Sequence, residues 1–250
     1  MTTLKDIAQD LVKTVINTDF FEKIKIDATG SEIIVEAMDS DREVILKGTA
    51  TSPAGEITGS FGLSNLNLLK HIVSDGEFTN IDSSLSVVYK KDTASGEEIP
   101  TELAYTNKSK SYINYRFMPQ ALVPAQPKFI EPTWDVVITP TKSHVQQFGW
   151  AASGLSQYEQ YFIPRIKDGA LKFFIGDDNA ASQRGGVVFA TDRTERFDGG
   201  HKWKIGHIMN VLKLADSTDC TMAFSSKGAI QITVKSGVGS YRYIFPAKVS

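Results

Sequence analysis

The sequence predicts an α+β protein made of two similar domains, each with antiparallel sheets and two helices on one face. Three observations carry that prediction. Leu66-Asn67-Leu68-Leu69-Lys70 is echoed by Met209-Asn210-Val211-Leu212-Lys213, 143 positions later. Tyr112-Ile113-Asn114-Tyr115-Arg116-Phe117, followed by Met118-Pro119, is echoed by Tyr241-Arg242-Tyr243-Ile244-Phe245-Pro246. A proline-rich seam runs between the halves from Pro119 to Pro132, with Pro124 and Pro127 inside it. A duplication joined by an extended linker reads as domains 1–118 and 134–250, connected by residues 119–133.

Each element follows from its periodicity. A first helix spans Leu4–Asn17, with Leu4, Ile7, Leu11 and Val15 on one face. A second begins at Ser64 as N-cap and runs to about Ser74, burying Leu66, Leu69, Ile72 and Val73. A third starts near Thr141, just after Pro140, with Val145, Phe148, Ala152 and Leu155 inward. A fourth runs over 204–215, with Ile205, Ile208, Met209 and Leu212 inward. The helix starts repeat at offsets of 137 and 140 residues. Strands are expected at 31–38, 43–50, 85–89, 171–175, 186–191, 221–225 and 229–235, from apolar alternation bounded by turn residues. Lys227-Gly228 and Gly237-Val238-Gly239 read as hairpin turns. The segment Asp92–Lys110, rich in Ser, Thr, Lys and Glu, reads as an extra mobile loop.

Bulk properties remove several classes of function. The longest apolar run falls well short of the ~20 residues of a membrane helix, and the N-terminal residues lack an apolar signal core. The expectation is a soluble protein of the cytoplasm, or of the host cytoplasm if viral. Cys220 is the one cysteine, which excludes an internal disulfide and argues against a thiolate zinc site. A net charge of −2 argues against a protein coated in positive charge, while leaving room for local basic faces.

On the two echoes and the seam, the chain resembles the sliding clamps, the ring-shaped DNA polymerase processivity factors. The style is closest to the clamps of tailed bacteriophages and to proliferating cell nuclear antigen (PCNA). The segment Pro119–Lys128 looks like the family's interdomain connecting loop, Leu66–Ile72 like its second helix, and Lys227–Ile232 with Tyr241–Lys248 like its last strands and tail. The resemblance implies the DNA clamp fold with sheets outside, a head-to-tail homotrimeric ring around duplex DNA, and no catalysis. It implies a DNA polymerase and a clamp-loader ATPase as partners, and a role in raising processivity during replication. A ring that slides needs diffuse positive potential facing phosphates rather than tight base contacts.

The resemblance also implies three sites. Candidate DNA-binding residues are Lys5 and Lys13, then Asn67, Lys70 and His71, then Lys142 and Gln146, then Lys204, His207 and Lys213, with Lys202 nearby. The third helix departs from the family's usual arginines, offering Gln146, Gln147 and Trp150. A partner-peptide pocket is expected from Val44, Leu46, Leu122, Val123, Ile130, Phe245 and Pro246. Subunit edges are expected from Tyr112, Ile113, Tyr115 and Phe117 of one copy and Val187, Val188 and Phe189 of the next. For each lysine the alternative is a solvated helix face. For Val44 and Leu46 it is plain sheet core, and for the two edge segments it is interior strands.

Catalytic and cofactor motifs are missing. His71, His144, His201 and His207 form no metal-binding spacing, and Gly237-x-Gly239 lacks a third glycine. Asp177-Asp178 and Asp39–Asp41 are turn acids, Cys220 reads as buried filler, and no P-loop is present. No metal or cofactor is expected. The rival reading is a non-enzymatic phage structural or assembly protein built from duplicated α+β domains, which would not require lysines on the helices' outer faces.

Overall fold

Helix α1 (Leu4–Thr14) starts at a reciprocal cap: the Thr3 hydroxyl accepts the Asp6 amide at 3.2 Å, and the Asp6 carboxylate accepts the Thr3 amide at 2.8 Å. The computed structural model in which this cap is seen describes residues 2–52, 55–93, 96–126, 130–176, 183–198, 200–216 and 219–248. The chain divides into one unit of Met1–Pro127 with Ser236–Tyr241, and another of Lys128–Lys235 with Arg242–Ser250.

In the first unit, β1 (Ile24–Thr29), β2 (Glu32–Met38), β3 (Ile45–Thr51) and β4 (Thr58–Leu63) form antiparallel neighbours in the order β4-β1-β2-β3. Their inward residues alternate: Ile24, Ile26 and Ala28 on β1, Ile33, Val35 and Ala37 on β2. Helix α1 presents Leu4, Ile7, Ala8 and Leu11 to this core. Helix α2 (Leu66–Val73) buries Leu66, Leu69 and Ile72. It is entered through Asn65 in the left-handed region at φ 53°, with no side-chain cap, rather than through Ser64. Asn tolerates that conformation because its short side chain clashes little with its own backbone.

The segment expected to be a loop contains a strand. β5 (Ser84–Lys91), β6 (Glu98–Thr106) and β7 (Tyr112–Arg116) make an antiparallel sheet in that order, and β6 buries Pro100, Leu103 and Tyr105. Its outward residues Glu98, Thr101, Glu102 and Thr106 hid the alternation behind a polar composition.

In the second unit, β8 (Val136–Ile138), β13 (Asp219–Ser225), β14 (Ala229–Lys235) and the Arg242–Pro246 part of β15 (Gly239–Pro246) are ordered β15-β14-β13-β8. β9 (Tyr161–Lys167), β10 (Ala170–Ile175), β11 (Gly185–Ala190) and β12 (Trp203–Lys204) are ordered β11-β10-β9-β12. Helix α3 (Lys142–Leu155) begins where the Thr141 hydroxyl accepts the His144 amide at 3.2 Å. Its Phe148 packs edge-on against Phe162, Phe173 and Phe189, with ring centroids 5.0 to 6.0 Å apart. Helix α4 (Ile205–Leu212) buries Ile205, Ile208, Val211 and Leu212, and Met209 is only half-buried. Trp203 is buried beside it and donates its indole N–H to the Phe245 carbonyl at 3.0 Å.

Candidate nucleic-acid interface

The helices' polar faces are unusually poor in acid. Helices α2, α3 and α4 contain no Asp or Glu, and α1 contains two, Asp6 and Asp10. Asp10 is buried, where its carboxylate accepts the Tyr241 hydroxyl at 2.6 Å and the Ser236 hydroxyl at 2.9 Å. Asp6 is held below the ordinary carboxylate range by its bonds from Thr3. The four helices carry four lysines and two aspartates, so a chain with 27 cations and 29 acids keeps 23 and 27 of them elsewhere. The helices are thus depleted in acid rather than enriched in cations, and the acidic excess of the chain lies outside them.

The candidate cations are not equivalent. Lys13 is exposed on α1. Lys5 is half-buried, and its ammonium donates to the Asn80 carbonyl at 2.9 Å and the Ser83 carbonyl at 2.6 Å, which ties α1 to the turn after α2. Lys5 therefore supports its own unit rather than presenting a mobile charge. On α2, Asn67 and His71 are exposed, and Lys70 pairs with Asp19 at 2.6 Å. Asp19 largely cancels that charge at a distance, although so exposed a pair adds little stability.

On α3, Lys142, Gln146 and Gln147 are exposed, and Trp150 is 80% exposed on the same polar surface. On α4, Lys213 is exposed at the C-cap, while Lys204 and His207 are half-buried; Lys202 is exposed. Lys204, His207 and Lys213 line a groove of about 680 Å³ between α3 and α4. A concavity of similar size, about 690 Å³, is bounded by α1 and includes Lys13, but Asp6 and Asp10 line it too.

The pocket residues separate into two groups. Val44, Leu46 and Phe245 are buried in the cores of their own units, as alternation along their strands requires, and offer no open apolar floor. Leu122 (60% exposed), Ile130 (82% exposed) and Pro246 are on the surface, and Val123 is half-buried. Gln126, which carries no sequence signal beyond its place in the proline-rich run, anchors the connecting segment. Its amide donates to the Ala37 carbonyl at 2.7 Å and the Leu46 carbonyl at 2.9 Å. Lys23 donates to the Leu122 carbonyl at 3.5 Å, and Gly62 bridges Met118 through amide–carbonyl bonds of 2.8 and 2.9 Å.

Both segments expected at subunit edges belong to edge strands, not interior ones: β7 ends the β5-β6-β7 order and β11 begins the β11-β10-β9-β12 order. Tyr112 (74% exposed) and Val188 (39% exposed) face outward. Tyr115, Val187 and Phe189 point into their own cores, and Ile113 and Phe117 are half-buried. These inward residues can shape an interface only through their backbone.

Elsewhere, Cys220 is buried and its thiol is pushed up to about 12 by burial, so it stays protonated at neutral pH. Asp39, Asp41 and Glu43 bring carboxylate oxygens within 4.8 Å of one another in the β2–β3 turn, where Asp39 also accepts the Val44 amide at 2.7 Å. Asp177 and Asp178 lie outside the described residues. Among the described residues no helix is long and apolar enough to cross a membrane.

No protein-family model and no curated protein matches the sequence. Solved structures do. A PCNA from Thermococcus kodakaraensis superposes with a TM-score of 0.69 at 12% identity, covering 98% of each chain. A PCNA from A. fulgidus, solved with the C-terminal region of FEN-1 bound, gives 0.68 at 11% identity, covering 97% of this chain and 96% of that one. At such identity the likeness speaks to architecture, and it extends over both units: the protein has the two-domain α+β fold of the PCNA-like DNA sliding clamps.

Proposed function

We propose that the protein is a sliding clamp, of the tailed-bacteriophage type its sequence resembles. Three copies close head to tail into a ring around duplex DNA, tether a DNA polymerase and raise its processivity in the cytoplasm where replication proceeds. The single observation that carries the reading is the full-length likeness to PCNA. The acid-poor helices support it, because a duplex inside the ring needs cationic neighbours that bind no particular base. The open edges of β7 and β11 support closure by strand pairing between copies. A clamp-loader ATPase opens the ring. Partner peptides dock at the exposed part of the connecting segment, at Leu122, Val123 and Ile130; that a PCNA from A. fulgidus was solved with the C-terminal region of FEN-1 bound supports peptide docking as a mode of partner binding.

The test is topological. Loaded onto nicked circular plasmid by its own loader, the protein should stay with the DNA through gel filtration at high salt. It should be lost when the plasmid is linearised. Equal retention on both forms contradicts the ring. Lys13→Glu with Lys142→Glu and Lys213→Glu should abolish processivity stimulation while leaving the oligomer intact.

A further inference from the structure

We infer that the connecting segment from Met118 to Gln126 is a strap, hinged at Met118 and held against β2 and β3 by a single latch, the Gln126 side chain. Both fastenings lie in the first unit. At the hinge, Gly62 and Met118 exchange amide–carbonyl bonds of 2.8 and 2.9 Å. At the latch, the Gln126 amide spans two strands, donating to the Ala37 carbonyl at 2.7 Å and the Leu46 carbonyl at 2.9 Å. Between these points the chain stands off the body: of residues 119–126, only Val123 and Gln126 are not exposed. Val123 rests on the bare backbone of Gly62, where a Cβ would come within 2.5 Å of its Cγ2.

The chemistry of the segment makes it move as one piece. Pro119 and Pro124 fix their φ angles and have no amide to give. Leu122 and Val123 turn their amides back into the segment, onto the Pro119 and Gln120 carbonyls at 3.0 Å. Lys23 adds one long bond, 3.5 Å to the Leu122 carbonyl, at the exposed surface where such a contact is weak. The hold at the far end therefore falls on Gln126. That hold is also finely balanced. Closing gains two donor bonds, but it leaves Gln126 Oε1 buried with no partner among the described residues, an acceptor that water satisfies once the segment lifts. Gain and loss oppose each other, so a small change at this one side chain shifts the strap between closed and open. None of this depends on ring closure. Under the clamp reading the strap carries Leu122 and Val123, so the latch decides whether those docking residues are presented on a fixed or a moving segment.

The test is hydrogen exchange, read by mass spectrometry over fragments spanning 118–126 in the full chain. The parent should protect this stretch below the free-chain rate. Gln126→Met, similar in length but unable to donate, should speed exchange there roughly tenfold. Gln126→Asn, which keeps the amide but shortens its reach, should do the same. Gln126→Glu, which turns a carboxylate toward two carbonyl oxygens at neutral pH, should speed it further. Exchange across 33–36 and 47–50, the paired interior of β2 and β3, should stay at the parental rate in all of these, as should the circular dichroism spectrum. Lys23→Met should change exchange by less than about twofold. Parental protection in Gln126→Met and Gln126→Asn overturns the latch, and so does a larger effect from Lys23→Met. Faster exchange across β2 and β3 contradicts the strap, because Gln126 is then a stitch between strands. Free-chain exchange in the parent removes the closed position itself.

Discussion

Gly62 shows how one missing side chain seats a segment. A Cβ there would lie 2.4 Å from Met118 Cγ and 2.5 Å from Val123 Cγ2, so Gly62→Ala overpacks the start of the connecting segment. The expected cost is about 1–3 kcal/mol, read as a lower urea midpoint; an unchanged midpoint contradicts the packing. Asp75 and Tyr105 make a titratable pair. The Glu77 amide at 3.0 Å and the Tyr105 hydroxyl at 2.8 Å hold the Asp75 carboxyl below its ordinary 3.8. Stability from that carboxylate is complete above pH 3.8 and is lost as pH falls toward its lower folded value. Asp75→Asn should therefore be less stable than the parent at neutral pH, with the gap closing below pH 3.8. Burial, then the bond to Asp75, pushes Tyr105 from 10.0 up to about 12, so its contribution fades as pH rises from 10 to 12. Tyr105→Phe should flatten that alkaline limb in pH-dependent denaturation. The acid-poor helix faces were legible residue by residue, but the engagement of Lys5 and Lys70 was not. Their partners, Asn80, Ser83 and Asp19, are distant in sequence or placed by a left-handed turn.

Elements differed in legibility for identifiable reasons. Helices α1, α2 and α4 were readable because each buries an apolar stripe at spacings of three and four. β2 and β3 were readable from alternation and a polar turn. β6 was missed because Pro100 and an exposed Ile99 interrupt its alternation, leaving Leu103 and Tyr105 to mark the buried face in an otherwise polar run. β9 was missed because Pro164 interrupts it; the proline is tolerated where β12 pairs only with Tyr161 and Phe162, leaving no named strand beside it on that side. β4 was missed because Gly59 and Gly62 dilute its pattern. Caps divide the helices in the same way: α1 and α3 have threonine caps, and α2 and α4 have no side-chain cap bond. Thr141→Ala should cost about 0.5–2 kcal/mol in chemical denaturation. A cost near zero would mean that Phe148 and its neighbours fix α3 unaided.

At the scale of the whole molecule, net charge says little and its distribution says more. A total of −2 is compatible with helices carrying more lysine than acid and a remainder carrying more acid than base. The edge strands β7 and β11 give the proposed ring its means of closure, and Tyr112 and Val188 are the outward residues on them. Introducing like charge at both, Tyr112→Glu with Val188→Glu, should leave circular dichroism unchanged and convert the assembly to single chains. The most direct test of the account is sedimentation velocity of the unmodified protein over a dilution series. The account predicts a species of three times 27.5 kDa. A single chain of 27.5 kDa persisting at the highest concentrations would contradict it.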